Sequence, residues 1–153
     1  MINSIDLKLT AVSTDIKRLG ADALVLGVVK GTDGPVLVAS PFSAKVTDSL
    51  QASLSALNVT GAADELVRLP AGDETKARIL VLAGLGSHEE STLTTEALRR
   101  GAGSAARQLA GLSTVVFALP AATPEQAAAV AEGVALGAYH FNSHRSTPAA
   151  KLP

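Results

Sequence analysis

The sequence contains no cysteine and no tryptophan, and only one tyrosine and three phenylalanines occur among its 153 residues. Without cysteine there is no disulfide framework, no thiolate nucleophile and no zinc site with sulfur ligands. The scarcity of aromatic side chains disfavours a surface on which nucleic-acid bases stack. The net charge of −1 and the pI near 6.3 are unlike those of a strongly basic nucleic-acid module or an acidic disordered tail.

Long apolar runs are also missing, because none reaches the ~18 uninterrupted residues of a membrane-spanning helix. The N-terminal residues Met1 to Lys8 lack a basic stretch followed by an apolar one, which is the pattern of a secretory signal. We therefore expect a cytoplasmic protein. The length and the 47% hydrophobic content are typical of one globular domain.

Strand and helix patterns alternate along the chain. Short apolar runs predict strands, and the near-continuous runs are typical of strands covered on both faces. The strands are predicted at residues 5–12, 23–29, 35–39, 65–69, 78–83 and 114–119. Apolar residues at helical spacing predict helices at 41–57, from a cap near Thr94 to about Ala110, and from Pro124 to about His140. This order predicts an α/β fold in three layers, with helices on both faces of a mixed, mostly parallel sheet.

Several local signals refine these boundaries. Asp33-Gly34 predicts a hairpin turn, Pro41 suits the first turn of the first helix, and Asn58 suits its end.

On the second helix, Glu96 and Arg100 have the spacing of an i,i+4 ion pair. Gly101 and Gly103 are predicted to let that helix approach the sheet closely. Thr123 and Gln126 form a capping box at the start of the third helix.

Two motifs could carry chemistry. Gly84-Leu85-Gly86 follows a buried strand, where a phosphate loop would lie, but Glu89 replaces the third glycine of a dinucleotide fingerprint. A strand-end turn with unusual backbone angles is the alternative interpretation. His140 and His144 have the i,i+4 spacing of a metal pair, but Phe141 stands where the zincin pattern has glutamate. Surface or linker histidines are the alternative there.

The remaining polar residues do not form a catalytic constellation in the sequence. Ser104 lies within a predicted helix and lacks the flanking glycines of a nucleophile elbow. Arg99, Arg100 and Arg107 could contact phosphates, but Glu96 on the same helix favours a solvated face. The other candidates are one histidine and four carboxylates with no fixed partner: His88, Asp64, Glu65, Asp73 and Glu74. We assign no catalytic, cofactor-binding or metal-binding residue to this chain.

The last predicted helix is apolar almost all round. Between Ala127 and His140, Glu132 is the only charged residue. Helices of this kind are usually covered on two sides, either by the sheet of their own domain or by something beyond the chain. The alternative is an alanine-rich helix whose small side chains are tolerated in water.

Five segments, taken in order, carry a resemblance to a known family. They are Gly20–Gly27, Arg78–Gly86, Leu93–Arg100, Gly103–Arg107 and Glu132–Phe141. The last has the form Glu-Gly-x-x-Leu-Gly-x-Tyr-x-Phe and is the most specific. The chain resembles the N-terminal domain of the leucyl, or cytosol, aminopeptidases of peptidase family M17. The resemblance implies a macro-domain-like unit at residues 1–141 and, at 142–153, the start of a linker to a catalytic domain that this chain lacks.

The family resemblance also implies a function. In that family the C-terminal domain holds two divalent metal ions, Mn or Zn, and releases N-terminal residues from peptides. Its metal-binding hallmark, Asn-Thr-Asp-Ala-Glu-Gly-Arg, does not occur here, so no catalytic or metal-binding residue is carried over. The resemblance implies a non-catalytic domain that contributes to hexamer assembly and to active-site access. Its implied partner is its own catalytic domain, with no membrane or nucleic-acid partner.

Two other functions remain open. True macro domains bind ADP-ribose, and they tend to carry an Asn-Ala-Asn run followed by a glycine-rich run. Here Asp22-Ala-Leu-Val-Leu is followed by Gly27-Val-Val-Lys30, and no glycine triplet occurs. An ADP-ribose or nucleotide binder is therefore one alternative, and a stand-alone interaction domain is the other.

Overall fold

A computed structural model describes residues 18–89 and 92–144, and within the last of these it does not describe the side chains of 139–144. These ranges contain five strands and three helices. The strands are β1 (Ala21–Gly31), β2 (Gly34–Val38), β3 (Leu66–Pro70), β4 (Ala77–Gly84) and β5 (Val115–Ala118). The helices are α1 (Ala44–Ser53), α2 (Thr95–Gln108) and α3 (Pro124–His144). The strand predicted at residues 5–12 lies outside the described residues.

Strand β1 is central because it pairs along both of its edges. One edge pairs with β4 in parallel, and on the other edge β5 pairs in parallel with the first half and β2 antiparallel with the second. Strand β3 is antiparallel to β4. The predicted α/β class and mixed sheet are confirmed. Two of the four described pairings are antiparallel, however, because the connections β1–β2 and β3–β4 are too short for a parallel crossover.

The two faces of β1 belong to two different hydrophobic clusters. On one face Leu24 and Leu26 join a cluster with Phe42 and Leu54, beside α1. On the other face Val25 joins a cluster formed with α2 and α3, whose helical members are Leu98, Ala102, Ala105, Ala129 and Val134. Full burial of a leucine or valine side chain stabilises the fold by about 1.5–3 kcal/mol. The sheet is therefore the middle of three layers, as the sequence predicts.

Helix α1 is shorter than predicted. Its N-cap is Ser43, whose hydroxyl accepts a hydrogen bond from the Val46 N–H at 3.3 Å. Pro41 consequently lies before the helix and not in its first turn. The prediction failed there because serine is a strong N-cap residue, and the helix begins three positions later, at Ala44. Asn58 follows the helix with a φ of +58°, a left-handed conformation that asparagine adopts at low cost.

The predicted starts of α2 and α3 are confirmed. Thr94 caps α2 by accepting a hydrogen bond from the Ala97 N–H at 3.1 Å. The capping box of α3 is reciprocal, because the Thr123 hydroxyl accepts from the Gln126 N–H at 3.1 Å and the Gln126 side chain accepts from the Thr123 N–H at 3.4 Å. Helix α3 continues to His144, beyond its predicted end, so residues 142–144 are helical and 145–153 lie outside the described part. Within the described ranges, no helix has the length and apolar content that a membrane crossing needs.

Candidate functional site

The crevice at the carboxyl ends of β1 and β4 is the place where open α/β sheets usually hold ligands. In this chain the loop of residues 59–65 lies across it. A Cβ atom on Gly61 would come within 2.5 Å of the Val29 backbone, and one on Gly84 would overlap the Ala62 carbonyl oxygen. Backbone therefore contacts backbone where a ligand would enter.

The Gly84-Leu85-Gly86 motif is fully engaged in this contact. The backbone N–H groups of residues 84, 85 and 86 donate, in that order, to the carbonyl oxygens of Glu65, Val28 and Gly61, each at 2.8 Å. A phosphate loop needs such N–H groups to be available to the ligand. Gly86 has a φ of +92°, which glycine adopts easily. The geometry favours the strand-end turn over the phosphate loop.

Glu65 holds the loop in place from within. Its carboxylate accepts hydrogen bonds from the backbone N–H groups of Thr60 at 3.0 Å and Gly61 at 2.8 Å, and from the Thr60 hydroxyl at 3.1 Å. Sequence reasoning found no fixed partner for this carboxylate. The structure assigns it a positioning role in the loop.

An open groove of about 330 Å³ lies between α2 and α3. It is lined by glycines along the helix crossing, by charged residues of α2 and by one leucine of α3. Its lining residues are Asp64, Glu96, Arg99, Arg100, Gly103, Ser104, Arg107, Gly133, Leu136 and Gly137. This groove is the candidate functional site, since the charged residues singled out in the sequence lie along it.

The two helices cross with their backbones in direct contact. A Cβ atom on Gly103 would lie 3.0 Å from the Gly133 carbonyl oxygen, and one on Gly133 or Gly137 would overlap a carbonyl of α2. The prediction that Gly103 faces the sheet is therefore wrong, because α3 occupies that side of the helix. Gly101 does face the sheet side, against Leu85 at the end of β4, as predicted.

Arg99 ties the two helices together across the top of the groove. Its guanidinium contacts the Glu96 carboxylate at 2.6 Å within α2 and donates to the Glu132 carboxylate of α3 at 3.0 Å. The hydrogen bond to Glu132, followed by that to Glu96, raises the pKa of Arg99 above its ordinary value. Arg99 is thus fully charged and fixed in position.

Arg100 is paired with a residue far away in the sequence. It donates to the Asp64 carboxylate at 2.9 Å, whereas Glu96 is engaged by Arg99, so the predicted Glu96–Arg100 pair is wrong. The loop 59–65 brings Asp64 beside α2, and residue spacing along one helix cannot reveal that contact. The hydrogen bond from Arg100 is the main cause that holds the pKa of Asp64 below its ordinary value.

Ser104 belongs to the same polar network. Its side chain is buried, and its hydroxyl accepts a hydrogen bond from the Gln108 amide at 2.9 Å. Ser104 also lowers the pKa of the Asp64 carboxyl, although less than Arg100 does. The Ser104 hydroxyl is thus part of the polar network that links α2 to the loop 59–65.

The other candidates are not brought together. Glu74 accepts from the Ser43 N–H at 2.9 Å beside α1, on a different side of the molecule from the groove. His88 is half-buried next to Gly86. His140 and His144 both lie on α3, but their side chains are outside the described part. Among the described residues, no three histidine or acidic side chains form a group that could hold a metal ion.

Sequence reasoning missed the groove itself. Gly133 and Gly137 have a small-x-x-x-small spacing, which is a known signal for close helix crossings and could have revealed the contact. Asp64 carries no such signal, because its partner Arg100 lies 36 residues further along the chain. The exposure of Leu136 depends on which face of α3 meets α2, and only the tertiary structure shows that.

Comparison with known proteins identifies the family. A family model described as "Cytosol aminopeptidase family, N-terminal domain" matches residues 25–148, which is most of the chain. The chain belongs to the cytosol aminopeptidase family. The match is to the N-terminal domain of that family, as the five sequence segments predicted.

Curated relatives agree with this assignment. A "Probable cytosol aminopeptidase" of Streptomyces griseus is 49% identical over 143 residues, and one of Micrococcus luteus is 46% identical over 138 residues. Each match covers 90% of this chain and 27% of the relative. The chain thus spans about a quarter of the length of the curated relatives that it matches.

Solved structures share the fold. The bottromycin maturation enzyme BotP matches 84% of this chain and 25% of its own, with a TM-score of 0.53 and 24% identity. A structure of BotP in complex with Mn matches with the same TM-score and 23% identity. At this level of identity the likeness shows the fold alone, and it agrees with the three-layer α/β architecture.

Proposed function

We propose that this chain is the non-catalytic N-terminal domain of a metal-dependent leucyl aminopeptidase. The parent enzyme releases N-terminal residues from peptides in the cytoplasm, with two divalent ions, Mn or Zn, in a C-terminal catalytic domain. The observation that carries the proposal is the match of residues 25–148 to the N-terminal domain of the family. In the curated relatives, the matched part is only 27% of the full length.

The geometry supports a structural role for this domain. The crevice that would hold a ligand is closed by the loop 59–65, and the Glu65 carboxylate fixes that loop. The charged residues of the groove join elements of the fold to one another, as Arg99 does with Glu132 and Arg100 with Asp64. Such a rigid unit suits a contribution to hexamer assembly and to the shape of the route into the active site.

Hydrolysis of leucine p-nitroanilide tests the proposal. We expect no turnover by the 153-residue chain with or without Mn²⁺ or Zn²⁺, and metal-dependent turnover by the parent protein that a chelator abolishes. The matched control is the chain carrying His88→Ala, His140→Ala and His144→Ala, which removes every histidine. Metal-dependent hydrolysis by the chain that survives in this variant would contradict a non-catalytic domain.

A further inference from the structure

Strand β2 lies at an edge of the sheet. Among the described residues it pairs with β1 and with no other strand. Its sequence, Gly34-Pro-Val-Leu-Val38, carries no charge, and the side chain of Val36 is 37% exposed. An apolar edge strand is a template on which a strand of another molecule can pair, and proteins usually block such edges. Whether the β2 edge is open depends on what its outward backbone groups contact.

The outward backbone groups of β2 belong to Pro35 and Leu37. Successive residues of a paired strand direct their N–H and C=O groups alternately to its two sides. The Pro35 C=O and the Leu37 N–H both contact Gln51 of α1, so these two residues face away from β1. Because proline has no backbone N–H, Leu37 supplies the outward N–H donor of β2.

The side chain of Gln51 binds both of these groups at once. Its Oε1 atom accepts a hydrogen bond from the Leu37 N–H, and its Nε2 atom donates one to the Pro35 carbonyl oxygen, each at 2.8 Å. The opposite orientation of the amide would set donor against donor and acceptor against acceptor, so the two partners fix this orientation. An added strand would offer the same pair of groups to the edge. Gln51 thus takes the place of a neighbouring strand at this point.

Helix α1 is attached to the β2 region through one polar side. Thr47 precedes Gln51 by four residues, so the two lie on the same side of the helix. The Thr47 hydroxyl is 2.8 Å from the Ser40 hydroxyl, in the segment that follows β2. No residue of α1 is buried, whereas six residues of α2 are. Hydrogen bonds therefore contribute more to the position of α1 than they do to that of α2.

We propose that Gln51 is a latch that closes the β2 edge against a strand from a second copy of this chain. Two β2 strands related by a two-fold axis at Leu37 would let each Leu37 donate to and accept from the other, as in an antiparallel ladder. No charged residue of β2 opposes this pairing. The Gln51 amide already holds the Leu37 N–H that the pairing needs. This role of Gln51 does not depend on the proposed function.

The variant Gln51→Met removes the latch, because methionine is an unbranched side chain without a strong donor or acceptor. Gln108→Met is the matched control. The Gln108 amide also makes two hydrogen bonds, to the Ser104 hydroxyl and the Asp64 carbonyl oxygen, but it lies on α2, on the other side of the sheet from α1. Each variant loses the two hydrogen bonds of one amide side chain, so a difference between them reports on the β2 edge.

Hydrogen exchange at the Leu37 amide is the first readout. In the unmodified chain and in Gln108→Met we expect this amide to exchange at least about tenfold more slowly than a free peptide amide. In dilute Gln51→Met we expect it to exchange at least about tenfold faster than in Gln108→Met. Equal exchange in the two variants would overturn the proposal. Exchange at the free-peptide rate in the unmodified chain would also overturn it, whether or not Gln51→Met folds.

Sedimentation velocity over a range of concentrations is the second readout. We expect Gln51→Met to associate beyond the state of the unmodified chain as the concentration rises, and Gln108→Met to sediment like the unmodified chain. Adding Val36→Lys to Gln51→Met places a charge beside the opened edge and should reverse the association. The proposal is wrong if Gln51→Met does not associate, if both variants associate equally, or if Val36→Lys has no effect.

Discussion

Helices α2 and α3 contact each other through the same glycines, yet they present different surfaces to the solvent. The exposed residues of α2 are all polar or charged, namely Thr95, Glu96, Arg100, Arg107 and Gln108. The exposed stretch of α3 is dominated by alanines and Leu136. On α2, the buried side chains pack within the domain, and the exposed side chains are polar or charged. On α3, one side meets α2 and the hydrophobic core, and the opposite side is exposed.

The inward face of a helix therefore reflects packing within its own domain, whereas its outward face reflects its surroundings. The inward faces of both helices are determined by this domain, since backbone contact requires glycine at the crossing whatever lies outside. The outward face is free to match the surroundings. The exposed residues of α2 are polar and suit water, whereas α3 exposes three alanines and Leu136.

Leucine truncation on the two helices should give the largest contrast. Leu98 of α2 is fully buried, so Leu98→Ala removes packed methyl groups and should lower the free energy of unfolding by about 2–5 kcal/mol. Leu136→Ala on α3 should change the free energy of unfolding of the 153-residue chain by less than about 0.5 kcal/mol. Urea unfolding of the three proteins measures this. A large loss in Leu136→Ala would show that α3 is already covered within this chain.

Substitution of a glycine where α2 crosses α3 should give the next largest loss in the free energy of unfolding. In Gly133→Ala the new methyl group overlaps the Arg99 carbonyl, and the helices must separate, which should cost about 1–3 kcal/mol despite the better helix propensity of alanine. Gly72→Ala is the control, because a Cβ atom there meets nothing within 4 Å. Thermal unfolding compares the two. A Gly133→Ala protein as stable as the control would argue against direct backbone contact between α2 and α3.

Loss of the Asp64–Arg100 ion pair should lower the free energy of unfolding by the smallest amount, and that loss should depend on pH. Arg100 lowers the folded-state pKa of Asp64, so the ion pair stabilises the fold above the unfolded pKa of about 3.9 and this contribution is lost as the pH falls through the folded value. Because the pair is exposed, Asp64→Asn should cost at most about 1 kcal/mol at pH 7. The cost should shrink as the pH falls below about 3.9 and disappear once the pH is below the lowered folded-state pKa of Asp64.

Asparagine retains the left-handed backbone of Asp64, whose φ is +68°, so this variant removes the charge without adding backbone strain. Asp48→Asn on the exposed side of α1 is the control and should change the free energy of unfolding little at any pH. A cost of Asp64→Asn that stays constant from pH 7 to pH 2 would show that shape, and not charge, matters at this position.

Much of the fold could be predicted because its determinants are local. Strand β1 appears in the sequence as a continuous apolar run since both of its faces are buried, and Thr94 and Thr123 are visible as caps because capping acts within one helical turn. The sheet order was harder. Nothing local shows that β5 and β2 share one edge of β1, or that half of the described pairings are antiparallel.

The groove could not be predicted because it is assembled from distant segments. Asp64 reaches Arg100 only when the loop 59–65 folds over the end of the sheet. From the sequence, Glu96 has the i,i+4 spacing of an ion-pair partner for Arg100, and nothing local points to Asp64. The sequence predicts that Gly103 faces the sheet, because it does not show that α3 lies beside this part of α2. The apolar character of α3 was visible in the sequence, but which of its faces stays uncovered was not.

That this chain is one domain of a longer metal-dependent aminopeptidase is tested most directly by reading the gene beyond the codon for Pro153. We predict an in-frame continuation of several hundred codons that encodes the acidic metal-binding cluster of the family. A stop codon directly after Pro153 would contradict the central claim. Ligand screening of a stand-alone macro-like domain would then follow.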